Sequence, residues 1–416
     1  MTNKDGVNGI DNGTKPPDNL LRPALHQFSR RQMSVPQRLA ELNRRFGYSI
    51  GKNTLIKLNK QFEVPSVRKP PSLPVITSLV AQAVDEDVLG RHGPTTIQRM
   101  IAREQNVIIP RDILRVVHRG IDPEGPARRF PGRKRTVKVR GQLKALGVME
   151  EVHCDGHEKL GAKALKMGQV GIPIYGFRDH TGMFQYLTVV PNDRDEMTIG
   201  HTYLDFVEER GEIPIQLTFD CGTETGMMRR LQGMLRSAGF VLERPSTVAL
   251  GSTDNIPIES GWSYWQDYAG RNIKAVILDG HSKGYFASAD PDHVNLFQWL
   301  WPQIVQTHLD LFKDFWNTTP RRKQDNKLLP TAAPDMVYNY PEDHNLIHCG
   351  IPVPKPLIQE LRNSHLATSR EDAMRWVPHE FDILAKVVYQ EIGSPRLHYS
   401  TGWETYKEML DVIQGA

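Results

Sequence analysis

Three carboxylates in a chain of 416 residues stand where apolar runs stop: Asp155 in "EVHCDG", Asp220 in "IQLTFDCG" and Glu259 in "NIPIES". Taken singly, each has a plain structural reading. An aspartate before a glycine-containing turn satisfies nearby backbone donors, and a glutamate in the first turn of a helix meets its positive end. Brought together, they would do something else. Converging carboxylates raise one another's pKa unless cations occupy the site, and hard oxygen donors select Mg²⁺ or Mn²⁺. Two such ions held ~4 Å apart activate a water or a 3′-hydroxyl and stabilise both the attacking and leaving oxygens of an in-line phosphoryl displacement. His153, His157 and Glu158 flank Asp155, and Glu224 follows Asp220 by four. They read either as residues that orient the ligands or supply a replaceable one, or as solvent-facing strand ends.

The elements around these acids decide whether they can meet. "GVMEEVHCDG", "VGIPIYGFRD" and "MFQYLTVVP" are apolar or alternating runs of strand length, close together, and predict a three-strand meander. A helical stretch, "EMTIGHTYLDFVEERG", then leads to a fourth strand of parallel type, "IPIQLTFD", with Asp155 ending the first strand and Asp220 the fourth. A second helix in "ETGMMRRLQGMLRSAG", a fifth strand in "FVLERP" and a third helix from about Pro257 complete an α/β unit with a mixed five-stranded sheet. If the first and fourth strands are neighbours, their ends lie side by side, and a helix on that edge presents Glu259 to both. Trp262 and Trp265, three apart on that helix, suit core packing better than base stacking, and "HVNLFQWLWPQIVQTHLDLFKDFW" reads as a long helix covering the sheet.

The front of the chain differs in charge. Residues 1–150 hold 27 Lys/Arg against 13 Asp/Glu, whereas residues 151–416 hold 25 against 35. A basic front on an acidic back suggests a polyanionic partner, nucleic acid ahead of a merely solvated basic surface. Residues 1–33, rich in Asn, Asp, Gly and Pro, are expected to be disordered. Leu39, Leu42 and Phe46, then Leu55, Leu58 and Phe62 after a break at Gly47, predict a helix-turn-helix over 34–70. Ile97 and Ile101, then Ile113, Val116 and Val117, predict a second such unit over 71–120. Two units of this kind could lay helices in a major groove, although any helical hairpin has the same pattern. The segment 121–147 carries Arg128, Arg129, Arg133, Lys134, Arg135, Lys138, Arg140 and Lys144 with almost no counter-charge after Glu124. It suits contacts to the phosphate backbone, or a nuclear-localisation signal.

Other classes fall away. Three cysteines, Cys154, Cys221 and Cys349, cannot build a disulfide framework or a cysteine-rich zinc site, and they suit a reducing compartment. There is no apolar run near the ~18 residues a membrane helix needs, and the opening residues lack the pattern of a secretory signal. The expected setting is the nucleus.

The stretches "EVHCDGHEKL", "YGFRDHTGMFQYLTVV", "FDCGTETG" and "GSTDNIPIESGW" resemble the successive motifs of integrase core domains of the retroviral-integrase-like superfamily, its eukaryotic transposon-derived branch especially. The resemblance covers roughly residues 95–340. It implies an RNase H-like catalytic core over 148–320, with a helical region over 321–416, and an Asp-Asp-Glu triad at Asp155, Asp220 and Glu259. It also implies two Mg²⁺ or Mn²⁺ ions, DNA strand transfer, and a homo-oligomer on DNA. One departure is plain. Where that branch carries arginines around the glutamate, this chain has Pro257-Ile258-Glu259-Ser260-Gly261-Trp262-Ser263. The absent arginines favour the rival expectation of a domesticated, non-catalytic DNA-binding or scaffold protein that keeps the fold.

Overall fold

The computed structural model describes residues 12–129, 145–220, 222–237, 244–250, 255–321 and 328–415. The chain divides into two compact units, Met1–Arg135 and Thr136–Ala416. Among the described residues no helix is long and apolar enough to cross a membrane.

The first unit is helical. Helices α1 (Asp18–Arg30), α2 (Val35–Phe46) and α3 (Lys52–Gln61) close around Leu21, Leu25, Phe28, Leu42, Leu55, Leu58 and Phe62. The expectation of disorder to residue 33 therefore fails over α1. Its Leu21, Leu25 and Phe28 form an apolar stripe at helical spacing, within a segment whose average composition is polar. Gln37 Oε1 accepts from the Ser34 backbone N–H at 2.9 Å to start α2, and Gly47, in the left-handed region at φ 62°, ends it.

A second group of three helices follows: α4 (Leu73–Glu86), α5 (Pro94–Glu104) and α6 (Arg111–Ile121) around Ile76, Val80, Ile97, Ile101, Ile109 and Leu114. Helix α4 is an addition to the two helices expected there. In α6 the buried positions are Leu114 and His118, while Val116, expected on the apolar face, is 74% exposed.

The second unit is mixed α/β. Its five-stranded sheet comprises β1 (Glu151–His157), β2 (Ile174–Asp179), β3 (Phe184–Val189), β4 (Gln216–Asp220) and β5 (Thr247–Leu250), in the spatial order β3-β2-β1-β4-β5. The pairs β1/β2 and β2/β3 are antiparallel, and β1/β4 and β4/β5 are parallel. The fifth strand described falls on Thr247–Leu250, after the expected stretch "FVLERP". The β-branched Thr247 and Val248 pair there with Leu217 and Thr218, and residues 240–243 lie outside the described chain.

One face of the sheet, with Val152, Cys154, Phe177, Leu217 and Phe219, packs on α7 (Glu196–Arg210) and α8 (Gly226–Ser237). Phe177 stacks on Phe206 of α7 with ring centroids 4.7 Å apart. The other face carries α9 (Ile256–Trp265), whose axis continues through one π-turn into α10 (Arg271–Ser282), and the long α11 (Pro291–Asn317). Phe184 of β3 meets Phe312 of α11 edge to face at 5.4 Å.

The expected division at residue 320/321 is not a boundary between compact units. Ile358 and Leu361 of α12 (Lys355–His365), with Leu366, belong to the same hydrophobic core as Phe177 and Tyr203. Helices α13 (His379–Glu391) and α14 (Gly402–Gly415) pack against α11, where Trp403 meets Trp301 at 5.2 Å. Apolar residues of α12 thus complete this core, while α13 and α14 cover α11.

Candidate functional site

Alternation along β1 turns Val152 and Cys154 into the core and Glu151, His153 and Asp155 to the other face. Asp155 lies within the strand, which continues to His157, and does not end it as expected. Asp220 does end β4. Cys154 pairs in register with Phe219, so the next step along the two parallel strands sets Asp155 beside Asp220. Glu259 is the fourth residue of α9 and acidic in its first turn. All three acids line one cleft of 640 Å³, together with His157, Glu158 and Glu224.

Two side chains of α9 and its N-terminus hold the aspartates. Trp262 Nε1 donates to Asp155 Oδ2 at 2.9 Å. The indole can reach because residue 176 is glycine: a Cβ there would come within 2.6 Å of the Trp262 ring. Trp262 also stacks on His157 at 4.9 Å, and the Gln266 amide meets His157 Nε2 at 2.8 Å. Trp262 and Trp265 are both buried, as core packing requires, so the extra role of Trp262 as a donor is one that its spacing did not reveal. Asn255, fully buried just before α9, donates through Nδ2 to Asp220 Oδ1 and to the Cys154 carbonyl, each at 3.1 Å. It was not singled out from sequence, where its one signal is an Asn directly ahead of a helix start.

The electrostatics suit a cation. Burial, reinforced by Asp220 and Glu259, pushes the Asp155 carboxyl up to about 7 against the opposing indole N–H. Burial and then Asp220 also raise Glu259. Asp193, on the same cleft, is pushed up to about 6 by burial and Glu158. His157 is lowered to about 4 by burial and then by Lys159, so it is neutral near pH 7. Arg194 reaches Glu158 at 2.7 Å and Glu224 at 3.8 Å, tying these two acids to the rim. Oxygen donors and like charges facing one another fit a hard divalent ion.

His153 stands apart from the cleft lining. It is buried, lowered to about 4 by that burial, and its Nδ1 meets Asn255 Oδ1 at 2.9 Å. Glu151, His153 and His180 bring ligand atoms within 4.8 Å of one another. Among the described residues the three cleft acids do not meet that closely.

The expected phosphate contacts divide. Arg128 and Arg129 both pair with Asp122, Arg129 at 3.2 Å, and Arg129 also donates to the His92 carbonyl at 3.2 Å. These two guanidinium groups are paired within their own unit, and the Arg128 side chain remains 53% exposed. Arg133, Lys134, Arg135, Lys138, Arg140 and Lys144 lie outside the described residues. No family model matches the chain, and no curated protein matches it.

Proposed function

We propose that the chain is an integrase- or transposase-like polynucleotidyl transferase with an RNase H-like core, acting on DNA in the nucleus as a homo-oligomer. The observation that carries this reading is the convergence of Asp155, Asp220 and Glu259 on one cleft from two adjacent parallel strands and a helix start. The strand layout supports it, since a meander, a crossover helix and a fourth strand beside the first is the arrangement the resemblance implies.

Asp155, Asp220 and Glu259 would hold two Mg²⁺ or Mn²⁺ ions, which when bound supply Lewis acidity and an activated water or 3′-hydroxyl. The chain's own residues prepare the site. Trp262 fixes the rotamer of Asp155, and Asn255 that of Asp220. Neutral His157, clamped between Trp262 and Gln266, closes the wall without adding positive charge. Lys159 and Lys163 on the cleft rim attract a phosphate-bearing strand. The helices of the first unit and the basic segment that follows them supply the remaining grip on the duplex.

A second reading, a non-catalytic DNA-binding relic, is favoured by the engaged Arg128 and Arg129 and by the missing arginines around Glu259. One experiment separates the two: joining of pre-cleaved DNA ends to a plasmid in Mn²⁺, wild type beside Asp220→Asn. Joining that vanishes in the variant supports the transferase. A folded wild type that binds DNA and joins nothing supports the relic.

A further inference from the structure

We propose that Glu151, His153 and His180 form a zinc site at the end of β1 remote from the acid cleft, tied to that cleft through Asn255. The argument starts from proton bookkeeping. The Asn255 amide nitrogen faces the Cys154 carbonyl and Asp220 Oδ1, both acceptors, so its oxygen is what faces His153. His153 Nδ1 must therefore carry the proton, and Nε2 is left with a bare lone pair. That lone pair points at His180 Nδ1, 3.0 Å away, and at Glu151 Oε1, 3.5 Å away. His180 Nδ1 lies 3.8 Å from the other carboxylate oxygen, Glu151 Oε2. Zinc bonds of ~2.0–2.1 Å set tetrahedral donor atoms roughly 3.3 Å apart; the two imidazole nitrogens, 3.0 Å apart, with one Glu151 oxygen within 4.8 Å of both, stand close to such an edge.

The cluster is built, not incidental. His153 is almost fully buried and His180 and Glu151 are largely so, their side chains 13% and 15% exposed. His180 is the residue after β2, and its backbone N–H donates to the Glu151 carbonyl at 2.9 Å, which fixes the turn against β1. Asp179 braces the same turn by accepting from the Met149 and Thr181 backbone N–H groups at 2.7 and 2.8 Å. Glu151 Oε1 accepts from Thr218 Oγ1 at 2.7 Å and from Gln216 Nε2 at 3.2 Å, leaving Oε2 for a cation. Each ligand thus has the outer hydrogen bond or backbone anchor that a metal site needs to hold its geometry.

Among the described residues, the Lys/Arg cation paired with Glu151 is Arg244, whose Nη2 lies 3.7 Å from Oε2 on a side chain that is 41% exposed and anchored on Glu150. It can swing into solvent when an ion enters. Two imidazoles and a carboxylate suit zinc better than magnesium, and the fourth position falls to water. The consequence is positional. An ion here locks His153, and through Asn255 it orients Asp220 on the other side of the helix start.

The test uses the full chain, stripped with chelator and titrated with Co²⁺ as a spectroscopic stand-in for zinc. The expected result is one equivalent with the visible absorption of a four- or five-coordinate nitrogen/oxygen site, displaced by Zn²⁺. It persists in Asp220→Asn. In His180→Ala and Glu151→Gln it is lost, with zinc affinity falling more than ~100-fold, beyond the ~10–100-fold that loss of an outer partner costs. Circular dichroism confirms that the variants fold, and the wild-type spectrum is decisive without them. A wild type with no such absorption, or His180→Ala binding zinc with unchanged affinity, overturns the site.

Discussion

Glu151 and Asp155 stand four residues apart on one face of the same strand, yet their surroundings have opposite character. At Asp155 the neighbours across the cleft are Asp220 and Glu259, so oxygen faces oxygen and the carboxyl is pushed up to about 7 by burial and those charges. At Glu151 the neighbours are two imidazoles, and the hydrogen-bond donors Thr218 and Gln216 already satisfy one carboxylate oxygen. The first end is frustrated without a hard cation, and the second is paired and nearly closed. What sets them apart is the partner element: α9 with the end of β4 at one end, and the turn after β2 at the other.

The largest effect breaks the comparison at its acid end. Asp155→Asn or Asp220→Asn is expected to lower Mn²⁺-dependent strand joining by at least ~10³-fold, the several kcal/mol a metal contributes to a developing charge. Circular dichroism should be unchanged, since neither side chain is part of the hydrophobic core. Undiminished joining in either variant would remove the acids from the chemistry.

Next comes a crossed measurement. His180→Ala is expected to leave Mn²⁺ affinity at the acid cleft within about threefold while zinc affinity falls more than ~100-fold, and Asp220→Asn to do the reverse. Loss of both ions in both variants would merge the two ends into one site. Smaller again is Trp262→Phe, which keeps the ring over Gly176 and removes the 2.9 Å indole donor to Asp155. Loss of a hydrogen bond to a charged group costs about 1.5–3 kcal/mol, so Mn²⁺ affinity should fall by roughly tenfold to a hundredfold. The apparent pKa of Asp155 should rise further, read by NMR titration.

How much of this was legible before the fold depended on how far apart the partners lie in sequence. Helices α7, α8 and α11 and the end of β4 at Asp220 follow from apolar spacing within short windows, and they stand where that spacing put them. Helix α1 was hidden by polar composition, since three apolar residues sufficed once α2 and α3 covered them. Asn255, His153 and His180 are different. Each is unremarkable alone, and the bonds joining them span 102 and 27 residues. No local pattern encodes such a meeting; it follows from the register of β1 on β2 and from where α9 starts. Arg128 and Arg129 show the converse: their charge was plain, but not that Asp122, six and seven residues earlier, would claim them both.

The smallest effect is a slope. In metal-free protein the Asp155 carboxyl has a folded pKa of about 7, above its ordinary value of 3.8, and Glu259 and Asp193 are raised in the same direction. Between those limits the folded state binds more protons than the unfolded state, so stability declines as pH rises from about 4 to 7 and levels off above. The melting temperature of the metal-free chain should fall across that window, by less in Asp155→Asn, which has nothing to titrate there. Saturating Mn²⁺ should reverse the sign, because the ion binds the ionised carboxylates and stabilises the folded state by mass action. If metal-free wild type and Asp155→Asn melt in parallel from pH 4 to 7, Asp155 is not the strained carboxylate that sets one end of β1 apart from the other.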